Sequence, residues 1–138
     1  MNTEVSTFRL YLLRAMYLLM AVGLAFTIWP GILHHPAPVE HMRGVVRSLL
    51  GAVCLLAVLG IRYPLKMLPL LFFELVWKTI WVVAFGVPLW KAHQFDPDTL
   101  ETLKATLMGV VLVPLVMPWG YAFAHYVKAP GDRWGKAT

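Results

Sequence analysis

The apolar positions of this chain gather in four long runs, and the charged residues fall mostly in the connectors between them. A helix needs about 20 predominantly apolar residues to cross the roughly 30 Å hydrocarbon layer of a bilayer. Four segments meet that length, at residues 10–29, 42–61, 68–90 and 97–126, with 127–138 left as a short polar tail. Pro30-Gly31 follows the first run, and no A-x-A pattern comes after its apolar stretch, so a retained helix is expected and not a removed signal peptide. The second run is short for a full crossing. Fourteen uncharged residues lie between Arg47 and Arg62, about 21 Å of helix at 1.5 Å per residue, so Arg47 must reach an interface or face protein. Tyr63-Pro64 disfavours helix and separates the second run from the third. In Asp96-Pro97-Asp98, Asp96 can cap the fourth helix and Pro97 suits its first position. The expected fold is all-α, a single domain of four transmembrane helices.

Composition supports the same class. The 138 residues are 59% hydrophobic and 14% charged, more apolar than a soluble domain of this size can hide. The net charge of +5 is distributed between the runs and not along one face, which sets nucleic acid aside as a partner. Cys54 is the single cysteine, so neither an intramolecular disulfide nor a CxxC motif exists, and it is expected to pack as a small hydrophobe. Seven of the twelve Lys and Arg residues (Arg9, Arg14, Arg62, Lys66, Lys128, Arg133, Lys136) lie in the N-terminal segment, the second connector and the tail. The positive-inside rule then puts both termini in the cytoplasm, with membrane lipids as the surroundings.

Chemistry can enter at few places. In Glu74-Leu-Val-Trp-Lys-Thr-Ile-Trp81, residues Glu74, Trp77, Lys78, Trp81 and Phe85 make one helical stripe. Glu followed by Lys four residues later is the favourable order for an ion pair. A lone central Lys in a membrane helix costs about 2.5–3.5 kcal/mol, so the stripe is expected to face the bundle interior or a subunit contact. Counting in from the same side, Arg14, Tyr17 and Tyr121 reach a similar depth, and a cluster of Arg14, Tyr17, Glu74, Lys78 and Tyr121 is geometrically possible. Pro114 and Pro118 can kink the fourth helix and free the carbonyls of Val110 and Pro114. Such a stripe serves first of all as structural glue, next as a ligand or lipid pocket involving Trp77 and Trp81, and least often as a proton or ion path. As a pocket it offers Glu74 as acid or base, with Lys78 or Tyr121 polarising a substrate, or an aromatic cradle for a flat lipid-soluble molecule.

The outer connectors hold a second group of ligand-type residues: His34, His35, Glu40, His41 and, in the third connector, His93. Three His and one Glu suffice for a zinc, copper or haem-iron site, although this spacing matches no established metal motif. Arg43 and Arg47, one turn apart, could grip a lipid phosphate or the acidic face of a partner.

The stretches RYPLKMLPLLFFELVWKTIW (62–81) and AHYVKAPGDRW (124–134) resemble a set of small, uncharacterised four-helix bacterial membrane proteins, a resemblance that implies the bacterial inner membrane as the location. In size and layout the chain is also similar to the DoxX-like membrane proteins, a resemblance that implies partnership with a redox system. Its size is similar to that of sterol-isomerase-type bundles too, which use buried acids against a lipid substrate, and Glu74 is the one acid that can be matched. Three functions are therefore expected to compete: an accessory or small-molecule-binding membrane protein, acting with a partner or as a homo-oligomer; a small membrane enzyme working on an apolar substrate; and a haem or metal protein using the outer histidines.

Overall fold

The computed structural model describes residues 5–35, 41–94 and 96–135. Among them the chain forms α-helices, two π-helical turns and no strand. The helices are α1 (Thr7–Thr27), α2 (Trp29–Leu33), α3 (His41–Arg62), α4 (Leu68–Trp81), α5 (Val87–Lys91), α6 (Pro97–Val116) and α7 (Trp119–Phe123). They combine into four spans long and apolar enough to cross a membrane: Thr7–Leu33, His41–Arg62, Leu68–Lys91 and Pro97–Val116. Their outward faces carry large apolar side chains such as Phe26, Leu55, Val83 and Leu115, each more than half exposed. A soluble monomer rarely leaves so much apolar surface open to water, whereas lipid solvates it well. The chain is an all-α, multi-pass membrane protein with a four-helix transmembrane bundle.

Proline decides where the expected helices change course. Pro30 does not end the first span; it opens α2 after a break at Ile28, and helix continues to Leu33. Pro88 has no N–H to return to the Ala84 carbonyl, and its ring would strike that carbonyl in a regular helix. The turn before it widens into a π-turn (Val82–Gly86), in which the Val87 N–H bonds the Val82 carbonyl. Helix four, expected unbroken to residue 126, passes through Pro114 but stops before Pro118. The clash of a proline ring with the preceding residue holds Met117 in extended backbone (ψ 126°). The break leaves carbonyls without partners, and side chains take them: Trp119 Nε1 donates to the Pro114 carbonyl at 3.0 Å, and Arg9 donates to the Leu115 carbonyl at 2.7 Å.

On α1 the buried residues Leu13, Met16, Tyr17, Met20 and Ala21 follow helical spacing, and α1 against α3 is the most extensive helix pair of the bundle. That closeness depends on small residues, as is usual where lipid supplies no hydrophobic drive between helices. A Cβ on Gly60 would come within 2.5 Å of the Tyr17 ring, and one on Gly51 within 2.8 Å of Ile32. Helix α4 packs mainly on α6, while the contacts of α1 with α6 and of α3 with α4 are sparser. The bundle is thus two pairs, α1/α3 and α4/α6, joined by lighter seams. Their joint core is Leu13, Tyr17, Leu68, Leu71, Val113 and Met117, all essentially without exposure. These residues sit at the end holding the α3–α4 turn and the α6–α7 break. Toward the opposite end the pairs part.

Candidate functional site

Where the two pairs part, a cavity of about 440 Å³ opens, bounded by one face of α1, by Glu74, Trp77 and Lys78 of α4, and by α6 between Thr102 and Leu112. It is open on the lipid side, where Leu19 and Met108 form its rim, each about half exposed. Its walls are mostly apolar, and α1 contributes two flexible methionines, Met16 and Met20, that can adjust to an irregular occupant.

The polar groups of this cavity are fixed from α4. Glu74 is 3% exposed, and its two carboxylate oxygens take different donors. Lys78 Nζ lies 3.0 Å from Oε2, and Trp77 Nε1 donates to Oε1 at 3.1 Å. The spacings of four and three residues along one helix make both bonds possible without help from a neighbour. The Lys78 ammonium also lies 5.6 Å from the Trp77 ring centroid, within cation–π range. Gly109 makes room for it: a Cβ there would come within 2.5 Å of Nζ and 2.8 Å of Cδ, so the lysine stem lies across the bare backbone of α6. On α6, buried Thr106, part of the cavity wall, spends its hydroxyl proton on the Thr102 carbonyl at 2.6 Å, so its oxygen is left as an acceptor. An ammonium carries three N–H donors. Glu74 takes one of those of Lys78, and the cavity lies open to the others.

The other expected members of the cluster are elsewhere. Arg14 Nε donates to the Ile61 carbonyl at 3.0 Å, and the Tyr17 hydroxyl to the Pro64 carbonyl at 2.9 Å. Arg14 takes one of the last carbonyls of α3, which have no helical partner, Tyr17 ties down the turn just after it, and neither bonds the Glu74–Lys78 pair. Tyr121 stacks on His125 at 3.9 Å between centroids, outside the cavity lining. The stripe itself is shorter than its spacing implies. Trp81 is half-buried over Gly86, and Phe85 is exposed to the lipid side, because the π-turn adds a residue to the turn and rotates Phe85 off the stripe.

Where the first span meets the second, Arg47 donates to the Gly31 carbonyl at 3.2 Å and stacks over that glycine, tying α3 to α2. A small cleft of about 150 Å³ beside it includes His35, His41 and Ser48. His35 Nδ1 is engaged with the Ile32 carbonyl at 3.0 Å, and exposed Arg43 lies one turn before Arg47. His34 is exposed, His93 sits in the α5–α6 connector with a left-handed backbone (φ 55°), and Glu40 lies outside the described residues. Among the described residues no three His, Cys, Asp or Glu side chains come together as a metal set. Cys54 is buried, with Sγ 3.2 Å from the Ala21 carbonyl, and joins α3 to α1.

Sequence reasoning missed Gly109, Thr106 and the α1 wall of the cavity. The four-residue spacing of Thr102 and Thr106 is a signal that could have drawn notice. Gly109 gives none, since it lies in an apolar run and its role depends on what α4 lays across it. Comparison of the chain with protein-family models, with curated proteins and with solved structures gave no match.

Proposed function

We propose that this chain is a small-molecule-binding membrane protein of the bacterial inner membrane, both termini cytoplasmic, that holds a lipid-soluble molecule between α1, α4 and α6 and serves as an accessory subunit to a membrane partner. The observation that carries this reading is the Lys78 ammonium. It sits at the wall of an apolar cavity and gives only one of its protons to Glu74. A charged donor held in a low-dielectric site is costly unless its remaining protons find acceptors. An occupant with an oxygen at that point supplies them. The volume of about 440 Å³ falls within the range of about 300–1,000 Å³ usual for small-molecule sites, and the open side faces the phase in which such a molecule dissolves.

A second reading has one observation in its favour: Glu74 and Lys78 bound the same cavity, so a bound substrate would meet a carboxylate and an ammonium together. This is the arrangement an acid/base enzyme needs. Against it, both oxygens of Glu74 already accept hydrogen bonds, which suits holding a charge in place better than accepting a proton.

Native mass spectrometry of protein released from a gentle detergent tests the proposal. The expected result is a discrete added mass on the wild type that is lost in Lys78→Met and retained in Arg43→Ala. A wild-type protein that carries no such mass, and takes none up from total membrane lipid extract, overturns it. Conversion of the extracted molecule by wild type, but not by a folded Glu74→Gln variant, would move the assignment to the enzyme reading.

A further inference from the structure

Resting on the cavity being a binding site, we infer that its occupant is a neutral amphiphile whose polar end is a hydrogen-bond acceptor, a carbonyl or hydroxyl oxygen, and not a carboxylate, a phosphate or an ammonium. Three observations converge on this class.

The first is charge. Glu74 and Lys78 are the only ionisable side chains in the cavity lining among the described residues, and they lie 3.0 Å apart. The wall therefore sums to zero. An anion brought to Lys78 would stand beside the Glu74 carboxylate and leave one uncompensated negative charge in an apolar cleft. A cation seeking Glu74 would meet Lys78 already in place. A neutral head leaves the pair intact.

The second is hydrogen bonding. The Trp77 N–H is spent on Glu74 and the Thr106 O–H on the Thr102 carbonyl. Thr27 spends its hydroxyl proton on the Gly23 carbonyl, and Thr102 is exposed one turn farther along α6. At the Glu74 end Lys78 is the group with donors to offer, so a head placed there must bring an acceptor. A hydroxyl head could also return its proton to the lone pairs of Thr106 or Glu74.

The third is depth. Glu74 and Lys78 are six and ten residues into the 24-residue span Leu68–Lys91, about 9 and 15 Å from its start, which puts the Lys78 position close to mid-membrane. The cavity runs from there along residues 16–28 of the first span, about 18 Å, toward one membrane surface. An amphiphile filling it has its head in the middle of the bilayer and its tail pointing outward, the reverse of a phospholipid. Only a weakly polar head reaches that depth without a large desolvation cost.

The test uses three probes with the same brominated alkyl chain and different heads: a methyl ester, a carboxylate and a trimethylammonium. Bromine quenches indole fluorescence on contact, so quenching at Trp77 is read as the difference between wild type and Trp77→Phe in uncharged detergent at pH 8. Adduct masses in native mass spectrometry give a second readout that does not depend on the Trp77 variant. The ester is expected to bind saturably and about tenfold or more tighter than either charged probe, and Lys78→Met to weaken the ester by a similar factor. Equal or tighter binding of the carboxylate or the ammonium overturns the neutral-head assignment while leaving a binding site in place. Ester binding indifferent to Lys78→Met overturns the role given to the ammonium. Failure of all three probes in both readouts removes the binding reading itself.

Discussion

Removing Lys78 should harm the bundle more than removing Lys78 and the charge of Glu74 together. The two groups lie 3.0 Å apart, with side-chain exposures of 16% and 4%. At an effective dielectric constant of about 20 their gross attraction is about 5 kcal/mol. Most of that is offset by the cost of taking two ions out of water, so the intact pair contributes little net stability. Lys78→Met removes the attraction and leaves the cost of the carboxylate, with only the Trp77 N–H still bonded to it; a loss of about 3 kcal/mol is expected, at the low end for broken buried pairs because Lys78 is partly exposed. Glu74→Gln keeps an acceptor for Trp77 and strands the ammonium, for a loss of about 2 kcal/mol. The double variant Glu74→Gln, Lys78→Met strands no charge and should lose only about 1 kcal/mol. Unfolding in mixed micelles of rising denaturing-detergent fraction, followed by far-UV circular dichroism, provides the four stabilities. If the double loss is the sum of the single losses, the pair is not coupled; if the double variant is as unstable as Lys78→Met, the stranded carboxylate is not what costs stability. Either result refutes the account of the α4 wall.

Three further outcomes follow from particular contacts. Trp119→Phe should destabilise by about 1–2 kcal/mol by leaving the Pro114 carbonyl unbonded, and Pro118→Ala, which restores an N–H for that carbonyl, should suppress the loss; an equal effect in both backgrounds refutes the explanation of the break. Asp96 accepts the Thr99 N–H at 2.7 Å, and that bond holds its carboxyl below the usual carboxylate range. Since the folded value is the lower one, the stabilisation is present above about pH 4 and is lost as pH falls through the folded value. Asp96→Asn caps without titrating, so its thermal midpoint should decline less on the acid side than that of wild type, and identical declines refute the linkage. For topology, a membrane-impermeant maleimide applied to intact spheroplasts should label Gln94→Cys and not Trp134→Cys, with native Cys54 silent because it is buried; the opposite pattern reverses the proposed orientation.

The four spans were legible because each depends on its own composition and length, and a bilayer imposes the same length on every helix. The Glu74–Lys78 bond and the Asp96 cap were legible for a related reason: each joins residues three or four apart, and helix geometry alone brings them together. The prolines marked places where a helix must give way, but not how. Pro114 is absorbed within α6, Pro88 is met by a wider turn and Pro118 by a full break, and at that break the freed carbonyls are taken by Trp119 and by Arg9 from the other end of the sequence.

What the sequence by itself determined is the class of molecule, the number of crossings and the pairing of charges along one helix, since these are properties of single segments and their solvent. Tertiary structure alone decided which charged residues bond only helix ends and which line a cavity. Arg14 and Tyr17 lie at a depth that would let them meet Glu74, yet the packing of α1 on α3, where Gly60 lets the Tyr17 ring approach, sends Arg14 to the Ile61 carbonyl at the end of α3 and Tyr17 to the Pro64 carbonyl in the turn after it. Gly109 shows the converse. Nothing in its own neighbourhood distinguishes it, and its missing side chain matters because α4, packed across it, lays Lys78 there. Depth is additive along a chain and can be counted from residue numbers. Which face of one helix meets which face of another depends on all the packed side chains at once.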